Sequence, residues 1–187
     1  MKVLVIVDMQ NDFVKGVLGS EEAKEIVSSI VSKIEACDAK TLVVFTQDTH
    51  QEDYLATQEG KNLPVEHCID VTKGWDIDER IVQAFNSNEL IPRMKTGNTM
   101  CNTFQKDTFG CLELAETIEK YTHCIESIEL CGLCLDICVI TNAVLLKTYL
   151  PEVRVSIDTK CCASTSRTAH ESTKILMKSL QIGDSSE

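Results

Sequence analysis

IESIELCGLCLDICVITNAVLLKTY, residues 125–149, contains both halves of a strand–turn–helix unit. Its apolar run from Ile125 to Leu133 reads as a buried strand. From Asp136 to Tyr149 the apolar residues recur at helical spacing instead. The same alternation extends in both directions along the chain. Further apolar runs lie at Val3 to Val7, Leu42 to Phe45, Leu90 to Met94 and Val153 to Ile157. Helical segments fit between them at Glu21 to Ala36, with Ser20 as a cap, and at Ile77 to Phe85, Leu112 to Tyr121 and Ser166 to Leu180. Strand, helix, strand, helix predicts an α/β fold in which helices cover both faces of a parallel sheet and ligands bind beyond the carboxyl ends of the strands. Gln47 to Trp75 and Lys95 to Gly110 do not fit the alternation and read as long functional loops.

The chain has 187 residues with 43% hydrophobic content, which suits a single domain spanning 1–187 with a full core. Its formal net charge of -11 repels phosphate backbones and anionic lipid, and its lysines are scattered, so neither nucleic acid nor membrane is expected as a partner. The apolar run near the amino terminus is too short for a signal peptide or a membrane span, so a cytoplasmic protein is expected. Thiols there stay reduced, which makes most of the ten cysteines small buried hydrophobes. Cys131 and Cys134 form a CxxC with no second pair, and the adjacent Cys161 and Cys162 suit one zinc tetrahedron poorly. A cysteine-rich zinc or redox protein built on Cys131 and Cys134 is the alternative from a different functional class.

Three chemical groups converge on the predicted strand ends. The first strand delivers Asp8 in VDMQNDF and the second delivers Asp48 and His50 in FTQDTH. The fourth runs into CGLCLDICV. Each alone has a structural explanation, in turn capping or in packing; together on one rim they read as a site. If the helix starts near Asp136, Cys138 lies in its first turn. Free N–H groups and the helix dipole there favour a thiolate that ionises below the reference value of about 8.5. Cys138 is therefore the best-placed nucleophile.

These residues resemble the isochorismatase-like cysteine hydrolases, in particular the nicotinamidase and pyrazinamidase group, over nearly the whole chain. VIVDMQNDF is similar to the family's first-strand motif with its catalytic aspartate, here Asp8. KDTFG is similar to the segment carrying the catalytic lysine, here Lys106, and GLCLDICV to the nucleophile motif of Cys138. DTH with EGKNLPVEHC is similar to the metal loop, which implies Asp48, His50 and His67 as ligands and Glu59 as a fourth group, direct or through water. The resemblance implies a three-layer α/β/α fold with a central, mainly parallel six-stranded sheet, the sixth strand lying near Gln181 to Gly183. It also implies a cis Leu133–Cys134 peptide, and Phe13 and Phe109 as walls of a substrate pocket. Lys95, in RMKTGNT, rivals Lys106 but lacks the following TFG. His123 and His170 lie outside the motifs.

The implied chemistry is hydrolysis of nicotinamide, or of a close aromatic carboxamide such as pyrazinamide, to the acid and ammonia through a thioester. Asp8 takes the thiol proton and returns it to the leaving ammonia, Lys106 holds the charged pair, and the backbone amides of Cys134 and Cys138 receive the oxyanion. One carboxylate and two imidazoles suit one divalent metal ion, zinc first and iron or manganese as alternatives. In the family that ion is held to bind the pyridine nitrogen. Two residues depart from the pattern: Leu135 replaces a threonine, and Leu63 stands at a pocket position where an aromatic is common. An alternative within the same fold is hydrolysis of another small amide or carbamoyl compound. A homo-oligomer is expected.

Overall fold

In β1 (Lys2–Val7) five of six side chains are buried, which is why its sequence shows no polar alternation. It lies at the centre of the sheet, paired in parallel with β2 (Thr41–Asp48) on one side and β4 (Ser127–Gly132) on the other. With β3 (Thr103–Lys106), β5 (Arg154–Cys162) and β6 (Gly183–Asp184) it forms one six-stranded sheet, every pair parallel, in the order β3-β2-β1-β4-β5-β6. The computed structural model describes residues 1–94 and 102–186.

The helices are α1 (Asn11–Val14), α2 (Glu21–Glu35), α3 (Gln58–Asn62), α4 (Glu79–Ser87), α5 (Leu112–Glu119), α6 (Ile140–Tyr149) and α7 (Arg167–Ser179). α2 packs with α4 on one face of the sheet. α5 packs with α6 on the other, and α7 lies against β6 and the turn that leads into α6. Two starts are fixed by serine caps: Ser20 Oγ accepts from Ala23 N at 3.0 Å and Ser166 Oγ from Ala169 N at 3.1 Å. α2 buries Ile26, Val27, Ile30 and Ile34 at i, i+3, i+4 spacing; each such side chain contributes about 1.5–3 kcal/mol. Its Lys33 reaches under the sheet to Glu129 on β4 at 2.6 Å and Asp158 on β5 at 2.8 Å. No helix among the described residues is long and apolar enough to cross a membrane.

The structure corrects one strand. Leu90 to Met94 does not pair: Pro92 has no N–H for a ladder, and Asn88 turns the chain by accepting from Leu90 N at 3.1 Å. The third strand is Thr103–Lys106, inside the stretch expected to be loop. It is a four-residue edge strand ending in two polar residues, a weak apolar signal. The other expected loop contains a 3₁₀ turn (Tyr54–Ala56) and α3. β2 runs on to Asp48, and the helix expected from Ile77 starts two residues later, because Asp78 caps it by accepting from Arg80 N at 3.1 Å. The sixth strand pairs at Gly183 and Asp184 with Ser156 and Ile157.

Candidate active site

Asp8 follows β1 directly, with a positive φ of 47° and no exposed surface. Its amide donates to Thr46 O at 3.2 Å and its Oδ1 accepts from Thr46 Oγ1 at 2.7 Å, so the neighbouring strand fixes both backbone and carboxylate. Lys106 ends β3, in register with Asp48 on β2. Its Nζ lies 2.8 Å from Asp8 Oδ2, 2.9 Å from Asp48 Oδ1 and 3.8 Å from Cys138 Sγ. One buried ammonium thus joins all three expected groups of the site. Lys95 lies outside the described residues.

Cys138 is positioned by the end of β4. Gly132 has φ 121°, and a Cβ there would stand 2.2 Å from Val7 O, so only glycine lets β4 pass this close to β1. The Leu133–Cys134 peptide is cis. A π-type turn follows at Leu135–Val139, with Val139 N donating to Cys134 O at 3.0 Å, and α6 begins only at Ile140. Among the described residues the Cys134 amide donates to no acceptor, which leaves it available to a ligand. Asn142, in the first turn of α6, donates to Cys138 O at 2.8 Å and Phe109 O at 3.1 Å and accepts from Cys111 N at 2.9 Å. It ties the cysteine turn to the segment after Lys106.

The electrostatics differ from the sequence expectation at Cys138. Its thiol is held well above the usual thiol range, first by burial and then by the Asp8 charge, which together outweigh the Lys106 ammonium. Burial also raises Asp8, against the pull of Lys106. Lys106 remains firmly protonated: burial opposes the charge, but Asp8, Cys138 and Asp48 overcome it. The free site therefore holds an ammonium and a thiol, and the thiolate favoured by a helix start is not its resting form.

Beside this group, Asp48, His50 and His67 are all buried, and their ligand atoms lie within 4.8 Å of one another. His50 Nε2 is 2.9 Å from Asp48 Oδ2 and 3.7 Å from Glu59 Oε1. His67 Nε2 stands 3.7 and 4.0 Å from the same two oxygens. His67 Nδ1 is engaged by Val65 O at 2.8 Å, which turns Nε2 toward the cluster. His50 Nε2 is buried, and despite its nearness to Asp48 it has no hydrogen-bond partner among the described residues. A buried imidazole nitrogen without a partner, facing a second imidazole and two carboxylates, fits a divalent metal ion. Cys131 is buried in β4, burial raises both its thiol and that of Cys134, and neither belongs to the ligating cluster.

The family model of the isochorismatase domain matches residues 2–182. The chain belongs to the isochorismatase family. Among solved structures of the same fold, the chain resembles pyrazinamidase of Pyrococcus horikoshii in complex with zinc, at 20% identity and a TM-score of 0.77, over 98% of this chain and 97% of that one. It resembles nicotinamidase/pyrazinamidase PncA from Bacillus subtilis at 25% identity and 0.77, over 98% of each chain. The yeast nicotinamidase Pnc1p bound to the inhibitor nicotinaldehyde aligns at 16% identity and 0.79, over 100% of each. No curated protein matches by sequence.

The expected pocket walls are placed less uniformly. Phe13 packs on His67 with ring centroids 5.3 Å apart, beside the cluster. Leu63 is 38% exposed, its carbonyl accepting from Tyr54 Oη at 3.1 Å, and the Phe109 side chain is 48% exposed. Sequence reading missed four residues of the site: Gln10, Thr46, Tyr54 and Asn142. Gln10 brackets the backbone of Asp48, accepting from its N and donating to its O, both at 2.8 Å. Tyr54 is 1% exposed, with its ring 4.6 Å from that of His50 and 4.9 Å from that of His67. Thr46 was within reach of sequence reasoning, because it shares a strand face with Asp48.

Proposed function

We propose that this protein is a metal-containing cysteine amidase that hydrolyses nicotinamide or a close aromatic carboxamide to the acid and ammonia. One observation carries the proposal: the Lys106 ammonium touches Asp8 and Asp48 and lies within reach of Cys138 Sγ, so a nucleophile, a base and the metal cluster share one cation. The named activities of the three solved relatives support it.

Cys138 is the nucleophile and Asp8 the base. In the free site the proton rests on sulfur, as the raised thiol requires, and Asp8 accepts it as sulfur attacks the amide carbon. Lys106 compensates the negative charge wherever it resides, on Asp8 before transfer and on sulfur during it. The Cys134 and Cys138 amides face the oxyanion. Asp8 then protonates the departing ammonia, leaving a thioester on Cys138, and activates the water that clears it. Asp48, His50 and His67, with Glu59 near, would hold the metal, zinc first; when bound it supplies a Lewis acid for the ring nitrogen of the substrate. Phe13 flanks that ring, with Leu63 and Phe109 nearer the surface. The nine cysteines described are all free thiols, in keeping with a cytoplasmic enzyme, which we take to act as a homo-oligomer.

The test is ammonia release from nicotinamide, pyrazinamide, benzamide and aliphatic amides, with zinc, iron or manganese added or removed. Turnover of the pyridine and pyrazine amides above the rest, abolished in Cys138→Ala, is the expected result. Faster release from an aliphatic or carbamoyl substrate would move the assignment to another amidase of this fold, and no release from any amide would end it.

A further inference from the structure

A cavity of about 1050 Å³ opens on the side of the β2–β3 edge opposite the catalytic groups. The pleat separates the two: Asp48 and Lys106 project to one face, and Gln47, Thr103 and Gln105 to the other, where all three line the cavity. Gln47 and Gln105 are register partners, so two carboxamides stand side by side across the strands, with Thr103 two residues along. Trp75 and Val82 add apolar wall, and Asn11 contributes from α1.

Two polar atoms of this lining have no partner among the described residues, Thr103 Oγ1 and Asn11 Oδ1, both buried; Thr103 as a whole is 4% exposed. An unsatisfied buried hydroxyl costs stability, and valine, of the same shape and a better strand former, would remove that cost. Trp75 is fixed in place. Its indole N–H donates to Thr49 Oγ1 at 2.9 Å, and its carbonyl accepts from Gln10 Nε2 at 2.9 Å and Gln47 Nε2 at 3.0 Å. The cavity therefore offers a rigid aromatic wall, amide donors and acceptors in a row, and an unused hydroxyl. Its charged residues are Lys15 and Lys73 against Asp12, Asp76 and Glu79, a mixture that favours no anionic ligand.

We propose that this cavity binds a neutral planar heteroaromatic with a donor–acceptor edge, of nucleobase or nucleoside type, separately from the catalytic site. The ring lies along Trp75 and its polar edge meets Gln47, Gln105 and Thr103. The proposal does not depend on the amidase assignment.

Trp75 is the only tryptophan of the chain, so its fluorescence reports on this wall directly. The full-length, metal-loaded protein is titrated with adenosine, uridine and AMP, following that fluorescence and measuring stoichiometry by calorimetry. A saturable change with at least one nucleoside, at one site per chain, is expected, with AMP at least tenfold weaker. Gln105→Ala and Thr103→Val should each weaken nucleoside binding at least fivefold, Thr103→Val melting no lower than the parent, while Cys138→Ala binds as the parent does. The proposal is overturned by the absence of a saturable change with either nucleoside, by equal affinity in both cavity variants, by tighter binding of AMP, or by loss of the signal in Cys138→Ala.

Discussion

Replacing Lys106 with methionine removes the ammonium and keeps most of its aliphatic stem. The ammonium is 3.8 Å from Cys138 Sγ and 2.8 Å from Asp8 Oδ2. At an effective dielectric of about 20, these separations correspond to ~4 kcal/mol for a thiolate and ~6 kcal/mol for the carboxylate. The first figure bounds the loss of transition-state stabilisation, and ~4 kcal/mol is roughly a thousandfold in kcat/KM. The second acts on the base. Burial and Asp48 already push the Asp8 carboxyl upward, and without Lys106 nothing named in the site opposes them except the Thr46 hydroxyl. Asp8 then holds a proton at a pH where the parent enzyme has a free carboxylate. The acidic limb of the kcat/KM profile therefore moves to higher pH in Lys106→Met, and part of the lost activity returns as the assay is made more alkaline. The assay is ammonia release across a pH series, run below the melting temperature, with circular dichroism and metal content confirming a folded, loaded variant. Activity within tenfold of the parent, with the acidic limb unmoved, would show that Lys106 neither compensates the nucleophile nor holds Asp8 ionised.

Stripping the metal, or His50→Ala, should cost far more activity on nicotinamide than on benzamide, which has no ring nitrogen; equal losses would assign the ion a structural task. Iodoacetamide should label Cys138 slowly in mildly acidic solution and faster as pH rises, with substrate or product protecting it and activity falling in step; rapid labelling at acidic pH would contradict a raised thiol. Gly132→Ala should fail to fold or melt far lower, since its Cβ would sit 2.2 Å from Val7 O. Lys33→Met should lower the melting temperature at neutral pH, because Lys33 overcomes burial to hold the Asp158 carboxyl below the usual carboxylate range. That contribution is complete above the unfolded value and is lost as pH falls through the folded one, so the difference between parent and variant should shrink in strongly acidic solution.

Much of the architecture was legible because the physics behind it is local. A parallel strand buried on both faces is apolar nearly throughout, so β1 stands out in the sequence, and serine caps announce the starts of α2 and α7. β3 was misread for the converse reason. It is short, it lies at the edge, and it ends in the polar side chains Gln105 and Lys106, which face the cavity and the catalytic cluster. Leu90 to Met94 offered more apolar residues but no N–H at Pro92. A strand that exists to deliver a lysine to a buried site is chosen against the pattern by which strands are recognised.

The site shows a similar division. Asp8, Asp48, His50, His67, Lys106 and Cys138 are legible as motifs, and the structure brings them together in two clusters that meet at Lys106 and Asp48. The residues that hold them are not legible. Gln10 reaches the backbone of Asp48 across 38 residues, and Asn142 reaches Phe109 across 33 and Cys111 across 31, separations that no local spacing encodes. The charge state of Cys138 was misread for a related reason. A helix start and a nearby ammonium are visible in one dimension and both favour a thiolate. Burial of the sulfur and the Asp8 carboxylate across β1 arise only from the assembled sheet, and both oppose it. Burial is the larger cause, and it turns the reading from a stored thiolate to a thiol that loses its proton as it attacks. Asp8 therefore has to take up that proton as the sulfur attacks, and Lys106, 2.8 Å from its carboxylate, is the group that opposes the upward push of burial.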